Sequence, residues 1–404
     1  WPPGARPASS AINQVVNKAN TSTALTANPS QIIFGQTVTL TATVTANAPG
    51  AGVPGGSVQF NNGANSLGTA TLDASGVASL NIALTTAGFN TITAVYSGNT
   101  SFNTSTSNSA TVFVASVDHN TIYVADTLNN RIQRSTNNGT TWQLIGNGVG
   151  LGLGQFNAPK AVAVNFSDSV IFVADTGNNR IQRSTNGGVS WTVMATAGTA
   201  TNQVNRPNGL AYDEVSNQLY IADTMNNRIL VVNAASTATP VFAIFAGATA
   251  GTAIGKFNQP KTIAVNTTGA VYVTDTANNR IQVNSNGLST GWTVLASTGR
   301  GLGQVNMPKG VYVDNTGRIW VADTGNNRIQ VNINGVWSVF MSAGTGVGRV
   351  NSPEGVVVNL SGNVFIADTA NNRTQSKPAS GGNAIVVGQP GLNVAQFNQP
   401  SGIR

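Results

Sequence analysis

VADTGNNRIQ stands at residues 173–182 and again, unchanged, at 321–330. Four near copies share the pattern: VADTLNNRIQ (124–133), IADTMNNRIL (221–230), VTDTANNRIQ (273–282) and IADTANNRTQ (366–375). Their Asp residues follow one another at 49, 48, 52, 48 and 45 positions. A second motif keeps the same period: QFNAP (155–159), QVNRP (203–207), KFNQP (256–260), QVNMP (304–308), RVNSP (349–353) and QFNQP (396–400). In the first five, the Pro lies 15 or 16 residues before the next Asp. Self-similarity at such a period marks a chain built from one supersecondary unit used repeatedly.

Each period holds four short strand-like runs. In 161–195 they are AVAVN, VIFVAD, RIQRST and SWTVMA, punctuated by Asn, Gly, Asp and Ser. Four strands per period make a propeller blade, and six periods make six blades. The pattern "fn-P-x-G-vavd…g-vyVaDt-NNRiqv" resembles the NHL repeat family and covers 116–404 almost without gaps. That resemblance implies a β-propeller. The family includes binding modules, lyases and scaffolds, so the fold does not by itself fix the function.

Before residue 116 the texture changes. TVTLTATVT (37–45) alternates apolar residues with Thr, the signature of a half-buried strand. SVQF (57–60), TATL (69–72), VASLNIAL (77–84), NTITAVYSG (90–98) and SATVFVA (109–115) follow, separated by turn clusters such as APGAGVPGG and LDASG. This spacing predicts a β-sandwich. NPSQIIFGQTVTLTATV (28–44), GSVQF and AVYSGNTSFNTSTS (94–107) resemble the bacterial Ig-like repeat family, which implies a stalk or adhesive module. Tyr96 is placed for a structural, tyrosine-corner-type hydrogen bond. The expected organisation is therefore all-β: an N-terminal extension over 1–19, an Ig-like sandwich over 20–115 and a six-bladed propeller over 116–404.

Composition narrows the chemistry. Only 8% of the 404 residues are charged, against about a quarter in an ordinary domain. Cysteine is absent, which removes disulfide and thiol chemistry. His119 is the only histidine, in the turn-like SVDHN, and zinc sites need several His or Cys ligands. The acids outside the motif (Asp73, Asp118, Asp168, Asp213, Glu214, Asp314 and Glu354) are scattered, mostly in turns. GNGVGLGLGQ (146–155) lacks the Lys-Ser/Thr pair of a phosphate loop and reads as a blade-to-blade crossover, as does GRGLGQ (299–304). No catalytic residue, metal site or cofactor is expected, and the chain is read as a non-enzyme. No apolar run reaches the ~20 residues that span a bilayer. A start at Trp1 with no leader pattern suggests a processed or trimmed product.

The D-T-x-N-N-R motif reads as a structural staple between blades, repeated in Asp126/Arg131, Asp175/Arg180, Asp223/Arg228, Asp275/Arg280, Asp323/Arg328 and Asp368/Arg373. Asp should accept backbone N–H groups of the following turn, and Asn-Asn suits left-handed conformations there. Arg should pair with an Asp of its own or an adjacent blade. The net charge of +7 lies mostly in the repeats, around the N-x-P crossovers: Lys160, Arg206, Lys256, Lys261, Arg300, Lys309 and Arg349. Crossovers and staple turns should share one face, making it positive and a candidate site for acidic polysaccharide or teichoic-type polymer. The near absence of stacking aromatics there argues against nucleic acid. Phe156 and Phe257 read as plugs between blades. Val162, Leu210, Ile263, Val311 and Val356 should give the channel an apolar lining.

Two further expectations concern the ends. QFNQPSGIR at the C-terminus has no blade after it, while the first staple has no crossover before it. Ser401–Arg404 should therefore supply the inner strand of the first blade, with TVFVA (111–115) as the competing strand. SSAINQVVNKA (9–19) resembles the last strand of another Ig-like repeat. It is a trimmed remnant, an edge strand on its own sandwich, or a strand added to another copy through Ile12, Val15 and Val16. The last option would build filaments. Together these features predict a secreted prokaryotic surface or matrix protein, structural or binding, with itself or a cell-surface polymer as partner. The alternatives are anionic-polymer binding by the basic face, or a propeller lyase or hydrolase with a channel site.

Overall fold

The computed structural model describes residues 17–33, 36–86, 88–115, 120–165, 168–213, 216–233, 240–266, 268–359 and 361–404. Ile12, Val15, Val16, Asp118, His119 and Glu214 lie outside them. The chain divides into two compact units, Trp1–Val117 and Asp118–Arg404. Among the described residues no helix is long and apolar enough to cross a membrane.

The first unit is a β-sandwich. One sheet orders the strands Thr21–Asn28, Thr37–Ala46 and Val77–Ala83. The other orders Gln31–Ile33, Ala110–Ala115, Gly88–Tyr96, Ser57–Asn62 and Asn65–Thr71. Alternation dictates the inner faces. Val38, Leu40, Ala42 and Val44 point inward from one sheet, and Val58, Phe60, Ile92 and Ala94 meet them from the other. The strand Thr21–Asn28 was not foreseen, because its inward positions are filled by Thr, Ala and Leu in a run dominated by hydroxyls. Tyr96 is fully buried, and its hydroxyl donates to Gly55 O at 2.8 Å. That acceptor lies 41 residues upstream, beyond the reach of a tyrosine corner.

Among the described residues the second unit contains six sheets of the same design, each with four antiparallel strands, and in four of them a short fifth strand joins the outer edge in parallel. In one, Ala161–Val164, Ile171–Asp175, Arg180–Ser184 and Thr192–Ala197 follow one another from inside to outside. Second strands such as IFVAD are buried at every position, because a neighbouring blade covers each face. The core accordingly lies between blades: Phe172 and Ala174 of one pack with Leu219 and Ile221 of the next. Phe156, Phe257 and Phe397 are completely buried, each edge-on to a Trp (Trp191, Trp292 and Trp142) with ring centroids 5.2–5.3 Å apart.

Pro400–Ile403 pairs antiparallel with Ile122–Asp126 and completes the first blade. Tyr123 and Arg404 exchange both backbone hydrogen bonds, at 2.7 and 2.9 Å. The competing strand TVFVA pairs instead with Gly88–Tyr96 inside the sandwich. Removing residues 396–404 is expected to lower the melting temperature of the propeller transition and leave that of the sandwich in place. Calorimetry that shows an unmoved propeller transition would refute closure by this strand.

Candidate functional site

Each staple is a buried carboxylate with its donors. Asp175 is fully buried at the end of its strand. It accepts from Asn157 N (2.7 Å), Asn178 Nδ2 (2.9 Å), Arg180 Nε (2.6 Å) and Gln182 Nε2 (3.1 Å). Thr176–Asn178 forms one 3-10 turn, and Asn179 closes it at φ 52°. The backbone donor therefore belongs to the preceding crossover, not to the turn that follows Asp, as the sequence had led us to expect.

The ion pair itself also differs from the expected staple between blades. Of the two partners open to each Arg, it takes the Asp of its own blade in all six copies. Arg131 bonds Asp126 (2.7 Å), Arg180 bonds Asp175 (2.6 Å) and Arg228 bonds Asp223 (2.7 Å). Arg280 bonds Asp275 (2.6 Å), Arg328 bonds Asp323 (2.6 Å) and Arg373 bonds Asp368 (2.7 Å). The reason is register. Asp and Arg face each other across the second and third strands, as in the Asp275–Arg280, Asp323–Arg328 and Asp368–Arg373 pairs, so Nε meets the near carboxylate first. No salt bridge of the motif crosses from one blade to another among the described residues.

What joins the blades is the rest of the guanidinium, bonded to backbone carbonyls. Arg180 donates through Nη2 to Gly152 O and Gln155 O of the crossover behind it. Arg280 donates in the same way to Ala253 O and Lys256 O, Arg328 to Gly301 O and Gln304 O, and Arg373 to Gly346 O and Arg349 O. Arg131 reaches Asn393 O and Gln396 O, so in the first blade this link ties the two ends of the propeller together. Thr176 Oγ1 donates to Pro207 O of the crossover ahead (2.6 Å), and Asn179 Oδ1 accepts from Arg206 N (2.8 Å). The Thr and Gln roles escaped the sequence reading, although Thr recurs in all six copies and Gln in five.

The exception is Leu230, which replaces Gln in the third copy. Asp223 consequently lacks that fourth donor, and burial pushes its carboxyl above the usual range against Asn205 N, Asn226 and Arg228. Leu230→Gln is expected to bring the Asp223 pKa down, as followed by carboxyl NMR titration; an unmoved titration would remove Gln from the clamp. Asp175→Ala leaves Arg180 without its carboxylate and should cost about 3–5 kcal/mol. An unchanged unfolding transition would show the clamp to be dispensable.

The residue after each crossover Pro forms a ring at one end of the channel: Lys160, Asn208, Lys261, Lys309, Glu354 and Ser401. Close approach of the inner strands makes the ring tight. A Cβ at Gly209 would stand 2.3 Å from Lys261 O, and one at Gly355 2.3 Å from Ser401 O. The next layer is Val162, Leu210, Ile263, Val311, Val356 and Ile403. The apolar lining expected from the sequence is therefore one layer of the channel, beneath a polar one. The lined cavity encloses about 660 Å3, including space open to solvent.

Lys160, Lys261 and Lys309 thus converge, while Arg206, Lys256, Arg300 and Arg349 stand exposed on the crossovers, apart from them. Glu354, Asn208 and Ser401 were missed as ring members. Aligning the residue after Pro across the six copies would have shown the set. Glu354 is held below the usual glutamate range by Lys160 and Lys309, which outweigh its burial. Lys261 is brought down from 10.5 to about 8, first by burial and then by Lys309. Its ammonium is disfavoured in the folded state, so the destabilisation is full below about 8 and fades as pH rises toward 10.5. Lys261→Met is expected to melt higher than the parent at neutral pH, with the gap closing in alkali. A lower neutral-pH melting temperature would contradict this. Among the described residues no three His, Cys, Asp or Glu side chains are grouped to hold a metal.

Fold and site define an all-β chain of two parts, a sandwich and a six-bladed propeller. Residues 25–115 match the bacterial Ig-like domain (group 3), and residues 204–232, 257–283 and 305–331 match the NHL repeat. The chain is thus a bacterial Ig-like domain followed by NHL repeats. Among solved structures it is similar to a chain of the nidogen/laminin complex, at 17% identity and a TM-score of 0.51, covering 70% of this chain and 97% of that one. A structural genomics protein of unknown function from Bacteroides thetaiotaomicron is 13% identical (TM-score 0.48; 94% and 92% covered). A gluconolactonase from Xanthomonas campestris is 16% identical (TM-score 0.45; 60% and 78% covered). No curated protein matches the chain in sequence.

Proposed function

We propose that the chain is a non-catalytic module of a bacterial surface or matrix protein, whose propeller holds anionic polymer on the face that carries the crossovers. The observation behind this is the distribution of charge between the two ends of the propeller. Strand pairing places the staple turns and crossovers at one end, and the hairpins between first and second strands at the other. At the crossover end the six motif carboxylates are buried and paired, and Glu354 is the one further acid in the ring. Arg206, Lys256, Arg300 and Arg349 are exposed there, with no ion pair among the described residues. The other end mixes signs, with Asp168, Asp213 and Asp314 in its hairpins and Arg318 paired to Asp314. A surface of one sign attracts polymers of the opposite sign, and salt screens the attraction over roughly 10 Å at 0.1 M. The bacterial Ig-like domain supports a place on the cell surface.

Retention on a heparin column is the test. The parent should elute at a raised salt concentration, and Arg300→Glu with Arg349→Glu should elute at markedly lower salt. Retention that ignores both salt and these reversals would defeat the electrostatic reading.

A further inference from the structure

The ring at the channel mouth holds more positive charge than its acid neutralises. Glu354 gives one carboxylate oxygen to Lys309 at 2.6 Å and the other to Lys160 at 3.3 Å. Lys261 has no ion pair among the described residues. Blade order fixes the sequence around the ring: Lys160, Asn208, Lys261, Lys309, Glu354, Ser401. Asn208 therefore stands opposite Glu354, and the arc from Lys160 to Lys309 bears hydrogen-bond donors. Three ammonium groups and one carboxylate leave two positive charges on the half-buried ring itself, and Arg404 lines the same cavity. The apolar layer of Val162, Leu210 and Ile263 beneath it offers those charges no solvation. A half-buried charge without a counter-ion is costly, and a ligand of matching charge removes the cost.

We propose that this arc binds a small dianionic oxyanion group, such as sulfate or a phosphomonoester, with Lys261 and Asn208 as its donors and Glu354 as the internal counter-ion that the ligand displaces from Lys160 and Lys309. The site rests on the anionic-ligand reading above and gives it a chemical class. Two negative charges match the ring; the single charge of a phosphodiester or a lone carboxylate leaves one lysine uncompensated. Free anions and the charged end of a polymer share this chemistry. Lys261 is also the group through which pH acts. Burial first, then the charges of Lys309, Lys160 and the more distant Arg206, against the pull of Glu354, hold it at about 8. Above that pH the cup loses a charge, and an anion must bring a proton with it.

Sulfate, a dianion throughout the useful range, is the probe. Calorimetric titration of the full chain at about pH 6 should show one saturable site, weakening about tenfold per pH unit above about 8. Lys261→Met and Lys261→Gln should each weaken sulfate at least about tenfold, a loss of roughly 1.4 kcal/mol. Glu354→Gln, which removes the competing carboxylate, should tighten it several-fold. A sugar phosphomonoester should bind comparably at neutral pH, and a phosphodiester more weakly. Thermal melts check folding, and sulfate should raise the melting temperature of the parent but not of the Lys261 variants. No saturable sulfate at about pH 6, parental affinity in a folded Lys261 variant, or a phosphodiester bound as tightly as sulfate would each overturn the proposal. The two readings fail separately. Heparin retention with no sulfate site leaves the polymer reading standing alone, and a sulfate site without heparin retention leaves the ring alone.

Discussion

A carboxylate buried without water must be surrounded by donors, and this requirement organises the propeller. Each motif Asp is fully buried at the end of a second strand. Satisfying it draws in an Arg and, in five copies, a Gln from the third strand, an Asn from the turn, and a backbone N–H from the crossover. The carboxylate thereby fixes where the crossover lies. Thr and the second Asn of the same motif then fix the crossover ahead. The clamp's contribution is geometric more than coulombic, since desolvation offsets much of the attraction in a buried ion pair. Asp223, one donor short, shows that balance most plainly: burial wins over three donors.

The channel mouth is a consequence of the same arrangement. Once each crossover is pinned, the residue after its Pro is delivered to the axis in all six blades. Glycine at the following position in four of the six copies, Gly209, Gly310, Gly355 and Gly402, lets adjacent inner strands approach backbone to backbone. The ring positions are therefore set by the scaffold while their side chains are free to differ. Three became Lys, one Glu, one Asn and one Ser. Function in such a molecule resides in the departures from the repeat.

Much of the fold was legible because the period is the same in kind throughout. Strands such as VIFVAD and RIQRST announced blades, and the unmatched QFNQPSGIR announced closure by the C-terminus. The partner of Asp was misassigned because its backbone donor comes 17 or 18 residues earlier in five copies and 272 residues later in the first, distances that local turn chemistry does not reveal. The Asp–Arg pairs were legible as pairs, but not as bonds within a blade. The spacing of five residues fits a hairpin partner and a neighbouring blade alike until the strand register is known. The basic residues were identified, but their division into an axial trio and an exposed outer set depends on which side of Pro they occupy. Lys160, Lys261 and Lys309 follow it; Arg206 precedes it. Glu354 escaped notice because a lone acid among scattered acids carries no pattern until the ring is assembled.

The bond between the strand Ile122–Asp126 and Pro400–Ile403 has a temporal side. These pairings join residues more than 270 positions apart, so the first blade's inner edge stays unsatisfied until Pro400–Ile403 has left the ribosome. Five blades can stack as they are made; the sixth contact waits. During that interval the chain carries an open sheet edge, the kind of surface that chaperones cover and neighbouring chains invade. Closure is then a single late event that converts a row of blades into a ring, and any translocation as an unfolded thread must be complete before it.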